Sequence, residues 1–497
     1  MRRSGVLVVG GGITGLSAAY ELARSGVTTM LVEASDRLGG KVHTERVDGL
    51  LIDRGPDSFV SYRPAATELA RELGIGDALV RPLEPREVFI RAGGRFTPMP
   101  QEMGLVLPRA LRPFVTTPLL SPLDKLRVGL DLLLPRTRLT DDVGVGPFLR
   151  RRLGRALVER LAGPLIGGVY GTPVDELSLL AVVPQLRDAE LSHRSLLLAS
   201  LASRNGGSTG SGSPFITFAG GTGQLIDGLV AALRGTPDAE LRTGVGVSRL
   251  ERAGERTDVH LSSGEIIRPE AIVLAVPGPA AASLLEPGVP AAAAVLRTIR
   301  HGTTALVTLA YRADQFVQPP IGHGFLVAAG EPLTIDACTI SSHKWAGRAP
   351  EGTVLLRAFI GSRSGRALEL SDEDLVAAAQ QDVAETLGVR GAPHLVRLGR
   401  WAQLMPQYTV GHLSRVAAVE AVMAGVPEIV LAGATYRGVG IPDCVIQGRS
   451  AARRLVAHLG ASPVAPNEPS GPPSSRPVTE PARFDQPSPG SSTLVNA

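Results

Sequence analysis

The chain has 497 residues, too many for one hydrophobic core and suited to two or three domains of ~150 residues each. Its 44% hydrophobic and 20% charged residues exclude global disorder, and a formal charge of +4 over this length is no footprint for nucleic acid. Aromatics at 4% exclude a base-stacking platform, and two cysteines, Cys338 and Cys444, exclude a disulfide framework or a four-cysteine zinc site.

Residues 6–9 form a short apolar run of the kind that fills a buried parallel strand. Arg2 and Arg3 before it imitate a secretion signal, but the glycines that follow argue against one. Those glycines, Gly10-Gly11-Gly12-Ile13-Thr14-Gly15, open a helix predicted over 16–24, and 28–33 reads as a second strand ending on Glu33. One glycine of such a turn permits the tight bend, one lets backbone approach a pyrophosphate, and one lets helix and strand pack closely. The helix N-terminus then meets the phosphates, and Glu33 lies where a carboxylate accepts from ribose hydroxyls. The unit predicts an α/β, Rossmann-like dinucleotide-binding domain.

Ala34 to Lys41 follow, with a second glycine pair at Gly39-Gly40, and then Asp53-Arg54-Gly55-Pro56-Asp57-Ser58. These extend the backbone along an elongated ligand, which a nicotinamide dehydrogenase does not need. Here the sequence resembles the flavoprotein family of amine oxidases, phytoene desaturases and protoporphyrinogen oxidases. Their FAD domain is assembled from both chain ends and a middle segment. Residues 95–200 are leucine-rich, helical in pattern and studded with arginine, while 204–214 is a Gly/Ser loop. Gly220-Gly221-Thr222-Gly223 opens a helix to 233, Val245 and Val247 lie in a β-like stretch, and 271–276 is another buried strand. Residues 300–395 alternate strand-like runs with turns, and from 461 the Pro/Ser-rich tail is predicted disordered. No run reaches the ~20 apolar residues of a membrane span.

The C-terminal part narrows the resemblance. Trp401, Met405-Pro406-Gln407-Tyr408, Gly411-His412 and Gly438-Val439-Gly440-Ile441-Pro442-Asp443-Cys444 are similar to the porphyrinogen oxidases; amine oxidases lack the Pro-Asp-Cys segment. Residues 164–178 resemble the segment that lines the tetrapyrrole cavity, and 355–361 the strand opposite. The resemblance spans residues 4–460 and implies a multi-domain fold: an FAD-binding domain from 1–90, 215–280 and 400–460, a mixed-sheet substrate domain at 281–399, and a helical lobe at 91–214. It implies that FAD is held by Gly10, Gly11, Gly12, Ile13, Thr14, Gly15, Glu33, Ala34, Lys41, Gly55, Pro56, Asp57, Ser58, Val247, Trp401, Gly440, Ile441 and Pro442. The substrate would meet Gly168, Tyr170, Gly171 and Phe359.

The chemistry so implied is oxygen-dependent oxidation of coproporphyrinogen III to coproporphyrin III in heme biosynthesis, by three hydride transfers to flavin N5 with hydrogen peroxide released. The alternative substrate is protoporphyrinogen IX, and a reading of another class is a non-catalytic FAD-binding scaffold of the heme pathway. No side chain is assignable as catalytic, and no metal site is expected because HExxH, paired cysteines and clustered histidines do not occur. Cys338, Cys444 and His412 read as structural. Lys41, Lys125 and Lys344 are the only lysines among 51 basic residues, a coding bias shared with actinobacterial members, which oxidise coproporphyrinogen III before iron insertion. The expected location is cytoplasmic, with hand-over of product to a ferrochelatase. Peripheral membrane contact would fall to the lobe arginines 109, 112, 127, 136, 138 and 150–152, or these are solvated helix faces. Arg86, Arg91, Arg95, Arg187, Arg194 and Arg357 are candidate partners for propionates.

Overall fold

Strands from three separated stretches of chain pair into one parallel sheet in the computed structural model, which describes residues 5–100, 107, 111–137, 139, 141–202, 213–254, 256–361 and 369–460. Among the described residues its order is Ala239–Thr243, Thr29–Glu33, Val6–Val9, Ala271–Leu274, Ile429–Leu431, every neighbour parallel. Side chains of Val6–Val9 alternate between two cores, as the period of two requires. Val6 and Val8 pack with the helices Ile13–Arg24, Gly223–Arg234 and Ile441–His458. Leu7 and Val9 pack with Gly278–Leu285, Pro290–Arg297, His412–Met423 and the meander that begins with Val247–Ala253. A sheet covered on both faces has no solvated side, which is why its central strands read as continuous apolar runs.

The chain's last described helix closes this domain against its first. Gly448 of Ile441–His458 rests on the carbonyl oxygen of Thr14, and a Cβ there would overlap that oxygen. Residues more than four hundred apart in sequence thus share the core beside the first turn.

A second sheet is mixed and has, among the described residues, seven strands in the order Leu395–Pro406, His301–Arg312, Thr353–Ile360, Ala337–Ile340, Gly324–Val327, Phe89–Ala92, Arg95–Pro98. Leu356, Ala358 and Ile360 face the helix Asp372–Leu387, whereas Leu355 packs with Leu50 and Ile52 of the strand Leu50–Asp53. Boundaries drawn at 90 and 399 therefore cut through strands of this sheet. Phe89–Ala92 pairs in parallel with Gly324–Val327, and Leu395–Pro406 runs unbroken across residue 400. Neither pairing has a local signal, because the partners lie far apart in sequence.

The lobe is helical, with Phe148, Leu149, Leu153 and Leu157 at its core. Arg152 corrects the reading of 150–152 as one exposed basic run. It is fully buried, 2.6 Å from Asp131 and 3.5 Å from Glu190, both also buried. Arg127 is likewise occupied, donating to the carbonyls of Arg150, Arg151 and Arg152. Arg109, Arg138, most of the 204–214 loop and the tail from 461 lie outside the described residues. Among the described residues no helix is long and apolar enough to cross a membrane.

Candidate active site

The first turn is built as its glycines demand. Gly10 has φ +104°, and a Cβ there would come within 2.7 Å of the Ala275 carbonyl oxygen. A Cβ on Gly15 would overlap the Gly10 carbonyl oxygen, so only glycine lets helix and strand approach this closely. Gly12 is the opposite case: nothing lies within 4 Å of the place its Cβ would take. It is the N-cap of Ile13–Arg24, with no capping side chain and no acid in the first turn. That helix end offers N–H groups and its positive pole to open ground, the arrangement an anionic group needs. Ile13 and Thr14 are buried beneath it.

Glu33 is held beside this turn. One carboxylate oxygen accepts the Gly11 N–H at 2.7 Å, and the other accepts the N–H and hydroxyl of Ser35 at 2.9 and 2.8 Å. The Val245 N–H donates to the Glu33 carbonyl at 2.9 Å, and Ala34 backs Gly246, which sets Val247 next to the acid's strand.

The loops that follow are tied to the second sheet. Gly39 donates to the Gly11 carbonyl at 2.8 Å, and Lys41 Nζ donates to the Leu404 carbonyl at 2.8 Å. Burial pulls the Lys41 ammonium pKa below its ordinary value. Gly55 lies against the Lys41 carbonyl, and the Pro56 carbonyl accepts the Thr222 hydroxyl at 2.8 Å. Asp53, which the motif reading passed over, pins the Gly220–Gly223 turn by accepting the Thr222 N–H at 2.9 Å.

Asp57 is the hub of a buried ion network. Its carboxylate lies 2.9 Å from Lys344 Nζ and 3.1 Å from Arg357, accepts the Trp345 indole N–H at 3.3 Å, and accepts the Ser58 hydroxyl at 2.8 Å. Burial alone would raise its pKa, but the two cations prevail and hold it well below the usual carboxylate range. Arg357 also donates to the Gly55 carbonyl and is buried, so it is no open rim for a propionate. Arg187 pairs with Glu190, Arg194 donates to the Leu132 carbonyl, and Arg91 lies near Glu331 and Glu385; Arg86 and Arg95 are exposed.

On the opposite side, a π-helix over Val158–Gly167 leads into Gly168–Tyr170 and then Gly171, left-handed at φ +55°. Gly168 is exposed and Tyr170 half-buried, its phenol pushed up to about 12 by burial. Phe359, Leu306, Gly399 and Ala337 stand opposite one another across four strands, on the sheet face that also carries Leu355. Trp401 lies two residues beyond Gly399 on the same face, opposite Thr304. A Cβ on Gly361, just past Phe359, would sit 3.7 Å from Gly171 Cα, so the two expected substrate segments meet. Spacing gave no warning of the Gly171–Gly361 approach or of Lys344; the one clue to Lys344 was its being a lysine in an arginine-rich chain.

The helix Ile441–His458 starts at Gly440, whose N–H donates to Asp443 at 3.2 Å, with Ile441 and Pro442 buried and Arg63 paired to Asp443. Cys444 and Cys338 are buried, and burial raises both thiols, Cys338 to about 12. His412 is fully buried and donates from Nε2 to the Tyr436 carbonyl at 2.9 Å. Burial, helped by Arg415 and Arg437, lowers its pKa to about 4 against the opposing bond to the Tyr436 carbonyl and, more weakly, Asp142. The folded state therefore binds this proton less well than the unfolded chain. Stability is fully present above ~6.5 and declines as pH falls toward 4, by on the order of 3 kcal/mol. Denaturation midpoints of wild type and His412→Gln across pH 7 to 4 check this: the wild type loses more stability with acid, and parallel curves would refute it.

A parallel sheet closed from three chain segments, a glycine turn facing an uncapped helix end, and a second sheet walling the far side define a flavoprotein of the amine oxidoreductase type. The profile of the family described as Flavin containing amine oxidoreductase matches residues 13–456. The chain is 44% identical to coproporphyrinogen III oxidase of Propionibacterium freudenreichii subsp. freudenreichii over 93% of each chain. It is 33% identical to the Bacillus subtilis (strain 168) enzyme of the same name, over 91% of this chain and 98% of that one. A crystal structure from Exiguobacterium sp. 255-15, described as a candidate protoporphyrinogen oxidase, superposes with a TM-score of 0.81 at 35% identity, covering 92% of this chain and all of that one. This chain belongs to the coproporphyrinogen III oxidase family, within the flavin-containing amine oxidoreductases.

Proposed function

We propose that the chain binds FAD and oxidises coproporphyrinogen III to coproporphyrin III with dioxygen as acceptor. Membership of its family carries the reading. The residues present suit the cofactor: open ground over Gly12 for a pyrophosphate, an uncapped helix end to balance its charge, and the Glu33 carboxylate beside Val247 for ribose and adenine. Bound there, a flavin supplies hydride acceptance at N5 and reoxidation by dioxygen to hydrogen peroxide.

Three oxidations each remove a hydride from a meso carbon and release a proton, six electrons in all. Two of the protons leave pyrrole nitrogens and the third leaves the remaining meso carbon, so that four bridges and two nitrogens each lose one hydrogen. The chain's part is to hold and shield the macrocycle. Phe359, Leu306 and Trp401 form an apolar wall on one sheet face, and backbone carbonyls of 168–171 accept from pyrrole N–H groups. Phe359→Ala is expected to raise KM about tenfold by removing apolar contact, read in initial rates of porphyrin fluorescence. An unchanged KM and kcat would remove Phe359 from the site.

The decisive experiment purifies the chain, looks for a yellow flavin spectrum, and follows porphyrin fluorescence in air with coproporphyrinogen III and protoporphyrinogen IX side by side. Preference for the four-propionate substrate supports the reading. Preference for the two-propionate substrate favours protoporphyrinogen IX oxidation, the activity suggested for the Exiguobacterium protein. Flavin bound without turnover of either favours a scaffold. The same proposal includes peripheral membrane contact by the lobe, supported by exposed Val115, Leu123, Leu126 and Leu133 near Lys125. Leu123→Ser with Leu126→Ser is expected to abolish cosedimentation with anionic phospholipid vesicles; wild-type protein left in the supernatant would refute that part. Transfer of product to a ferrochelatase belongs to the same reading.

A further inference from the structure

The turn from Gly433 to Gly440, which opens the C-terminal helix, contains two glycines at positive φ, Gly433 at +135° and Gly438 at +97°. Three of its backbone groups are satisfied by two side chains, Tyr408 from the preceding loop and His412 from the first turn of His412–Met423. Tyr408 Oη donates to the Ala434 carbonyl at 2.6 Å and accepts the Gly438 N–H at 2.7 Å. His412 Nε2 donates to the Tyr436 carbonyl at 2.9 Å. The two rings stack, with centroids 3.9 Å apart and planes 16° from parallel, and both side chains are buried. Burial keeps the phenol protonated, since its pKa lies well above the ordinary value, so one hydroxyl serves as donor and acceptor together. A carbonyl partner requires the His412 proton on Nε2, and Nδ1 then remains a buried acceptor with no partner.

The other side of the same loop is bonded to the substrate segment. The Ser178 N–H donates to the Tyr408 carbonyl at 2.8 Å, and the Val410 N–H donates to the Glu176 carbonyl at 2.9 Å. The Tyr170 ring lies 5.7 Å from the Tyr408 ring, and Gln407 Nε2 reaches the Gly171 carbonyl at 3.5 Å. Tyr408 is therefore the point where the turn under one ligand and the segment around the other are joined.

We propose that Tyr408 and His412 form a single positioning unit that fixes the Gly433–Gly440 turn against the 168–171 segment, and so sets the bound flavin relative to the porphyrinogen. Neither residue touches a reacting atom. The inference rests on the function proposed above. Phenylalanine at 408 keeps the stack but leaves the half-buried Ala434 carbonyl and Gly438 N–H without this partner, so the turn relaxes. Glutamine at 412 keeps an N–H donor for Tyr436 but not the ring.

The test compares wild type, Tyr408→Phe, His412→Gln, the double variant, and Ser371→Ala. Ser371 caps Asp372–Leu387 behind the second sheet and touches neither segment. Measured are the FAD dissociation constant by flavin fluorescence, the visible flavin absorption envelope, the thermal midpoint, and kcat and KM for coproporphyrinogen III. Tyr408→Phe is expected to weaken FAD about tenfold, alter the absorption envelope, and lower kcat more than it raises KM. The double variant is expected to resemble Tyr408→Phe, because members of one unit do not add. Ser371→Ala should lower the midpoint and leave FAD affinity and spectrum unchanged. If Tyr408→Phe behaves as Ser371→Ala does, or if the two site variants add, the proposal is overturned. Should Tyr408→Phe not fold, His412→Gln carries the same comparison. A wild type that turns over no porphyrinogen defeats the functional reading, while FAD affinity and spectrum still decide the role of the pair.

Discussion

Gly15→Ala is expected to give protein that retains no flavin. The added Cβ would overlap the Gly10 carbonyl oxygen and come within 3.3 Å of the Ala275 side chain. Backbone cannot swing aside as a side-chain tip does. The helix Ile13–Arg24 must therefore lift from the sheet, while Gly448 holds its far side against Thr14. Lifting it carries the helix N-terminus away from the ground over Gly12 where the pyrophosphate is proposed to bind. FAD affinity should fall at least ~100-fold, equivalent to about 2.7 kcal/mol, with a lowered thermal midpoint. Purified Gly15→Ala with one flavin per chain and wild-type affinity would falsify the packing argument.

The second large effect is predicted for Asp57→Ala. Removing this carboxylate leaves Lys344, Arg357 and the Trp345 N–H facing a buried joint without their shared acceptor. Breaking a buried ion network from one side costs about 3–5 kcal/mol, because the uncompensated charges remain. Aromatic faces do not replace the carboxylate, although Lys344 lies 5.1 Å from the Trp345 ring centroid and Arg357 5.2 Å from that of Phe359. Since Phe359 lies under the released guanidinium, KM for the porphyrinogen should rise as well. Denaturant unfolding and steady-state kinetics measure the two effects. The folded carboxyl titrates below the unfolded one, so this stability is present above the unfolded pKa and fades as pH drops through the folded value. An Asp57→Ala protein as stable as wild type at neutral pH would show that solvent reaches the joint.

How far the sequence could be read depended on range. Gly10, Gly12, Gly15 and Glu33 were legible because a strand, a turn, a helix and a second strand lie within about thirty residues, and local geometry dictates their spacing. The three-segment origin of the cofactor domain was legible only through the family resemblance, since nothing local says that Ile429–Leu431 pairs with Ala271–Leu274. The 90 and 399 boundaries cut strands for the same reason: Gly93-Gly94 marks the hairpin at 89–98, but nothing local says that it joins a strand more than two hundred residues away. Arg152 ends a run of three arginines, yet its helix turns it onto the face of Leu149 and toward Asp131 and Glu190. Its placement could be known only with those two acids located.

The sequence by itself determined the strand, glycine turn, helix and second strand ending on Glu33 and, through separated motifs, the family. The tertiary structure alone decided which charged and polar groups hold the molecule together and which face a ligand. Asp57 read as part of a cofactor loop until Lys344, 287 residues later, lay beside it, and Lys41 meets a carbonyl 363 residues away. Short-range steric rules are written in residue spacing. The pairing of buried charges is not, because its free energy depends on what else has been excluded from water around it.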